Sequence, residues 1–255
     1  MSEAWKPNLD GRTAVITGGS KGLGKAMALA LSAAGASIAL VSRDTEKLAE
    51  VRKEITNNGG TARVFAADVR IEENVARLKT EVAGQLGAVQ ILINNAGINI
   101  RKQLADFSLA EWNSVLETNL TSAFLMCRAF LPQMRGTGYG RILNMTSIMS
   151  HVSLAGRSAY SASKAGLLGL TRALALELAS DGITVNGISP GPFATEMNIP
   201  LMQDATANAQ FLESIPVHRW GKVEDIGTLA CYLCSDAAGF ITGTDILIDG
   251  GWCAR

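Results

Sequence analysis

The sequence predicts an α/β fold in which one doubly wound parallel sheet of seven strands carries helices on both faces. Three observations support it. Short apolar runs alternate with longer helix-forming segments from end to end, the rhythm of βαβ units. A glycine-rich loop separates the first run from the first helix. No linker, internal repeat or low-complexity tract breaks the chain, and 255 residues with 47% hydrophobic content suffice for one core, so 1–255 reads as a single domain.

The elements follow in order. Thr13–Thr17 is a buried strand, Gly18-Gly19-Ser20-Lys21-Gly22-Leu23-Gly24 a loop, and 25–31 a helix rich in Ala and Leu. Next come a strand at 37–41, a polar helix over Thr45–Asn57 stopped by Gly59-Gly60, and a third strand at Ala62–Ala66. Glu72–Leu86 reads as helix, 90–93 as strand, and 109–134 as long helical sequence ending near Pro132 and the Gly136-Thr137-Gly138 turn. Strands at 141–145, 184–188 and 246–248 complete the sheet, with a helix over Ser158–Leu178 after the first of them. The stretch 195–218 has weak periodicity and reads as a substrate lid.

Composition narrows the function classes. The 23 basic and 23 acidic residues cancel, so no long-range attraction draws the chain to nucleic acid or an anionic membrane. Met1-Ser2-Glu3-Ala4-Trp5-Lys6 lacks the basic-then-apolar pattern of a secretory leader, and no apolar run reaches the ~20 residues that span a bilayer. The expectation is a cytoplasmic protein acting on a small molecule. The cysteines at 127, 231, 234 and 253 are too sparse for a disulfide scaffold. Cys231 and Cys234 have metal-like spacing but no second pair, and their segment reads as a packed apolar helix, so no metal is expected.

Two constellations carry chemistry. In Tyr160-Ser161-Ala162-Ser163-Lys164 the first and last residues share a helix face, which sets an ammonium beside a phenol. An unperturbed tyrosine has a pKa of about 10, and a neighbouring cation lowers it toward the range useful for general acid-base work. Ser147, thirteen positions upstream, supplies a hydroxyl to hold a carbonyl or carbinol oxygen. The same spacing also occurs in helices with no chemistry. The second constellation is the loop of pattern Thr17-Gly18-x-x-x-Gly22-Leu23-Gly24. Its glycines let backbone N–H groups and the positive helix end approach a pyrophosphate, although a ligand-free tight turn has the same appearance.

Together these motifs resemble the short-chain dehydrogenase/reductase family over nearly the whole chain. The resemblance implies a Rossmann-like fold and a nicotinamide coenzyme on Gly18, Ser20, Lys21, Gly22, Leu23 and Gly24. Asn94-Asn95-Ala96-Gly97 is similar to the family's strand-end motif, Asp68 and Val69 to its adenine-contacting pair, and Pro190-Gly191-Pro192-Phe193-Ala194-Thr195 to its nicotinamide-side loop. The catalytic set so implied is Asn119, Ser147, Tyr160 and Lys164, with Lys164 also holding the nicotinamide ribose and Asn119 supporting a proton-relay water. A homotetramer is implied too, and apolar residues such as Phe124, Leu125, Phe130, Leu167, Leu168, Leu170 and Leu174 exceed what a sheet-facing stripe needs.

The end of the second strand, Val41-Ser42-Arg43-Asp44, bears on which coenzyme is held. An acidic residue there accepts from a free ribose 2′-hydroxyl, whereas Ser42, Arg43 and the loop's Lys21 suit a 2′-phosphate. NADP(H) is therefore expected over NAD(H), with Asp44 leaving a ribose contact open. Arg101, in Gly97-Ile98-Asn99-Ile100-Arg101-Lys102, can grip a carboxylate. That loop resembles the gluconate 5-dehydrogenase and deoxygluconate dehydrogenase branch, except that Ile100 stands where those relatives often have a second arginine. Substrate contacts are expected from Arg101, Ser147 and Tyr160, and His151 reads as a structural histidine. A 3-oxoacyl reductase and a non-catalytic nucleotide sensor are the rival readings.

Overall fold

The computed structural model describes residues 6–254; residues 1–5, read above for a leader, and Arg255 lie outside the described residues. Seven strands form one wholly parallel sheet: β1 (Thr13–Thr17), β2 (Ser37–Ser42), β3 (Ala62–Ala66), β4 (Ile91–Asn94), β5 (Gly140–Met145), β6 (Ile183–Pro190) and β7 (Asp245–Ile248), in the order β3-β2-β1-β4-β5-β6-β7. α1 (Gly22–Ala33), α2 (Thr45–Asn57), α3 (Glu72–Leu86), α4 (Leu109–Leu116), α5 (Ser122–Met134) and α6 (Ser158–Leu178) connect the first six strands. α7 (Ile199–Gln203), α8 (Ala205–Glu213) and α9 (Val223–Cys234) lie between β6 and β7.

Alternation along the strands divides the core. Ala14 and Ile16 of β1 face one layer, with Met27 and Leu31 of α1, Leu48, Val51 and Ile55 of α2, and Ile226, Ala230 and Leu233 of α9. Val15 faces the other, with Leu78 and Val82 of α3, Phe130 of α5, and Leu174 and Leu178 of α6. A parallel strand is buried on both faces, so all five residues of β1 are buried where a half-exposed strand would alternate. Cys231 and Cys234 are buried in the first layer, and burial pushes the Cys231 thiol up to about 12. Among the described residues no helix is long and apolar enough to cross a membrane.

Several boundaries differ from expectation. α1 begins at Gly22 instead of residue 25, because the glycines are themselves the first helical turn. The helical sequence 109–134 is not one α-helix: a π-turn over Glu117–Thr121 separates α4 from α5 and turns Asn119 inward. The lid stretch contains two short helices, α7 and α8. Of the apolar residues that suggested association, Leu125, Phe130, Leu167, Leu168 and Leu174 are already buried within one chain and Leu170 is half-buried, which leaves Phe124, 45% exposed, as the exposed one among them.

A buried polar chain ties the central strands to α6. Asn94 of β4 donates to Asn144 of β5 at 2.8 Å, Asn144 donates to Thr171 of α6 at 2.9 Å, and Thr171 donates to the Leu167 carbonyl at 2.9 Å. All three side chains are buried. Thr171→Val keeps the shape but orphans the Asn144 amide, and should lower stability by about 1–3 kcal/mol. Equilibrium urea unfolding of the coenzyme-free chain measures this, and a loss below a few tenths would show the amide finding another partner.

Candidate active site

The strand order reverses between β1 and β4, and at such a switch point the following loops diverge to leave a crevice beyond the strands' carboxyl ends. A cavity of about 940 Å³ opens there. One wall is the turn from β1 into α1. Gly22 has φ +54°, and nothing lies within 4 Å of where its Cβ would stand, so the backbone is open to a ligand. A side chain at Gly24 would bring its Cβ to 2.3 Å from the Gly18 carbonyl, which only glycine avoids. Lys21, at the cap of α1, makes no side-chain cap bond, and the first-turn N–H groups with the positive helix end form a seat for an anion such as pyrophosphate. Asn95 Nδ2 secures the turn by donating to the carbonyls of Thr17 and Gly18 at 2.9 and 3.1 Å.

The adenosine end of the cavity lies at the tips of β2 and β3. Asp44 caps α2 by accepting from the Lys47 amide at 3.1 Å, leaving Ser42 and a 69% exposed Arg43 facing the crevice. Asp68 lines the cavity as expected and also carries a partner the sequence did not suggest. Arg70 grips it at 2.6–3.2 Å, and this hydrogen bonding, more than Arg43 at 3.8 Å, lowers its pKa. Lys21 reaches across the mouth to Glu196, in the segment after β6, at 3.4 Å.

The opposite wall carries the hydroxyl, the phenol and the ammonium. Ser147 follows β5, while Tyr160 and Lys164 share a face of the first turns of α6, and all three line the cavity. Lys164 Nζ donates to the Met145 carbonyl and sits 5.7 Å from the Tyr160 ring centre. Burial raises the Tyr160 phenol; its hydrogen bond with Ser147 and the charge of Arg157 pull it back down. Burial likewise lowers Lys164 to about 8, against the pull of Asp245. The expectation that Lys164 makes this phenol acidic is therefore corrected for the chain by itself. Desolvation of the phenolate outweighs an ammonium that is itself desolvated and engaged elsewhere.

The expected coenzyme residues line this cavity, from Gly18 and Arg43 through Val69, Ala96 and Gly97 to Pro190, Gly191, Phe193 and Thr195. Two expected residues do not. Asn119 is buried beside it, donating to the Ile98 carbonyl at 2.9 Å and Ser163 Oγ at 3.0 Å and accepting from the Ile98 amide at 2.8 Å. Arg101 is exposed and outside the cavity lining. The Lys102 amide donates to the Gly156 carbonyl at 3.3 Å, which brings Arg101 against Arg157. The Arg157 pKa is lowered by burial and then by Arg101, while its Nη1 is buried with no hydrogen-bond partner among the described residues. Sequence reading missed this residue, although its place three positions before Tyr160 was a usable signal. It also missed Asp245, whose carboxylate meets His151 Nε2 at 2.6 Å, because β7 lies far away in sequence.

A dinucleotide cradle facing a hydroxyl, a phenol and an ammonium defines a nucleotide-binding α/β protein equipped for proton transfer. A family model described as enoyl-(acyl carrier protein) reductase matches residues 18–253. Acetoacetyl-CoA reductase of Shinella zoogloeoides is 40% identical over 94% of this chain and 98% of its own length. 2-Dehydro-3-deoxy-D-gluconate 5-dehydrogenase of Bacillus subtilis is 36% identical over 97% of each chain. The structure of a gluconate 5-dehydrogenase from Burkholderia cenocepacia J2315 in complex with NADP and tartrate superposes with a TM-score of 0.92 at 33% identity, covering 97% of each chain. The chain belongs to the short-chain dehydrogenase/reductase family and is an oxidoreductase acting on hydroxyl groups.

The depressed Lys164 pKa has a consequence for stability. Below about pH 8 the folded chain holds a desolvated ammonium that the unfolded chain keeps solvated, at a cost of roughly 3 kcal/mol. That cost falls as pH rises from about 8 toward 10.5, where the folded state loses its proton first. Lys164→Met should thus raise the thermal midpoint by several degrees at pH 7, with the gain shrinking toward pH 10. Calorimetry at both pH values checks it, and a midpoint lowered at pH 7 would contradict the sign.

Proposed function

We propose that this oxidoreductase uses NADP(H) to interconvert a secondary alcohol and a ketone on a carboxylate-bearing polyhydroxy substrate of the sugar-acid kind. The observation that carries the substrate class is the buried, unpartnered Nη1 of Arg157 beside Arg101 and Tyr160. Arg157 is half-buried, but a guanidinium nitrogen shut off from solvent without an acceptor is unfavourable, and a substrate carboxylate would supply an acceptor. Tartrate, the acid bound in the Burkholderia structure, has the same chemistry. For the coenzyme, Asp44 is spent as a helix cap while Arg43 stands at the adenosine end with a charge suited to a 2′-phosphate, and Lys21 in the glycine turn, paired on the surface with Glu196, can add a second cation.

Bound nicotinamide coenzyme would accept or deliver hydride at the substrate carbon. The chain's own residues handle the proton. In oxidation Tyr160 takes the hydroxyl proton as phenolate, and in reduction it returns one; Ser147 holds the same oxygen. Lys164 places a positive charge behind both and would hold the nicotinamide ribose. Asn119 ties Ile98, in the loop after β4, to the second turn of α6 through Ser163, beside the expected path for proton relay.

A 3-oxoacyl reductase remains the second reading, favoured by the 40% identity to acetoacetyl-CoA reductase. A thioester has no free carboxylate at the reacting end for Arg157 to meet, so the two readings separate on substrate charge. Assembly as a homotetramer is part of the proposal; Phe240 and Leu247 stay exposed near the β7 edge, and size-exclusion chromatography with light scattering tests it.

Three measurements test the assignment. Tyr160→Phe should abolish turnover while NADPH binding, followed by fluorescence, survives; near-normal turnover would remove Tyr160 from the chemistry, and inactivity of the wild type on every alcohol and ketone with tight NADPH binding would favour a sensor. Arg43→Ala should raise KM for NADP about tenfold or more and leave KM for NAD little changed; a wild type preferring NAD overturns the coenzyme assignment. Arg157→Met should raise KM for gluconate or deoxygluconate about tenfold to a hundredfold, with a smaller effect on uncharged polyols. Because Arg157 lowers the Tyr160 pKa, its loss should also move the alkaline rise of the oxidation rate to higher pH; acetoacetyl thioesters turning over best, indifferent to Arg157, would favour the reductase.

A further inference from the structure

Asp245, the first residue of β7, is 2% exposed in its side chain, and its carboxylate holds three donors. Thr146 Oγ1 donates to Oδ1 at 2.6 Å, Ser189 Oγ donates to Oδ2 at 2.7 Å, and His151 Nε2 lies 2.6 Å from Oδ2. To reach them the carboxylate crosses β6 at Gly187, where any Cβ would stand 2.3 Å from Asp245 Oδ1 and 3.1 Å from Thr146 Oγ1. Only glycine leaves that passage open.

Thr146 and His151 are the two ends of one short segment. Thr146 leaves β5, with its amide on the Ile188 carbonyl at 2.9 Å. Ser147 follows and accepts from the Met149 amide at 3.1 Å, and a single 3-10 turn, Ile148–Ser150, ends at His151. One buried carboxylate thus pins both ends of the segment whose second residue is Ser147. The charge also faces the ammonium of Lys164, which is docked on the carbonyl of Met145 immediately before the segment. Burial of a carboxylate is unfavourable unless donors compensate it, and three donors converge here from β5, β6 and the turn after Ser147.

We propose that Asp245 is a positioning residue: it clamps Thr146 and His151 so that the Ser147 hydroxyl is held against the Tyr160 phenol. This rests on the function assigned above to Ser147. Loosening a positioned group by about 1 Å reduces turnover by up to about a hundredfold, and the reduction is passed through the group positioned. Asp245→Asn, which preserves volume and one acceptor, should lower kcat about tenfold to a hundredfold while KM for coenzyme and NADPH affinity stay within about twofold. In a Ser147→Ala background the same change should have almost no further effect, because the group it positions is gone.

His151→Gln releases one end of the clamp near the surface and should give a smaller loss of the same kind, keeping the test open if Asp245→Asn folds poorly. Amide hydrogen exchange gives a readout independent of turnover: exchange at Met149 and Ser150 should accelerate in Asp245→Asn and leave α1 unchanged. Equal losses with and without Ser147, unchanged kcat, or unchanged exchange at those two amides would overturn the proposal. If Ser147→Ala alone keeps full activity while the exchange prediction holds, the fault lies in the role given to Ser147, and the clamp itself stands.

Discussion

An ammonium buried beside a phenol, with no carboxylate in direct contact among the described residues, is the constraint around which this site is arranged. Lys164 is 4% exposed and its charge is desolvated, which by itself drives the proton off. The Met145 carbonyl accepts from it, and the buried charge of Asp245 opposes the desolvation. Both depend on the register of the sheet. Met145 is the last residue of β5, and Asp245 opens β7 opposite Gly187. A slip of one residue would turn every side chain of a strand to the other face and separate these groups.

The same crowding explains the state of Tyr160. Packing that excludes water strengthens electrostatic interactions in the site and makes the phenolate harder to form. Ser147 and Arg157 favour it from the substrate side, while burial opposes it. In the chain without ligand the phenol is therefore held protonated, with its activating groups in place around it. Arg157 would link the two tasks of the proposed site: its charge favours the phenolate, and on the function proposed above the same cation would meet the substrate carboxylate, coupling substrate binding to proton transfer.

The coenzyme wall follows a different logic. It is made of backbone, and its precision comes from missing side chains: an open face at Gly22 and a tight contact at Gly24. Thr17 ties it to β4 by accepting the amides of Asn95 and Ala96 at 2.9 and 3.0 Å. The segment after β6 joins the glycine turn through the exposed Lys21–Glu196 pair, a contact of small energy.

Local sequence was enough to specify the strands, most helices, the glycine turn and the Tyr160–Lys164 face, because each depends on neighbours within one or two turns of backbone and repeats with the period of its element. Boundaries shifted where local patterns compete, as at Gly22 and in the π-turn holding Asn119. The Asp245 clamp, the Asp68–Arg70 pairing and the juxtaposition of Arg101 with Arg157 were decided only by the tertiary structure. Parallel strands bring residues far apart in the chain, such as 146 and 245, to one edge of one sheet. The pKa directions of Tyr160 and Lys164 were settled there too, since desolvation depends on everything packed around a group, and that surrounding exists only after the chain has folded.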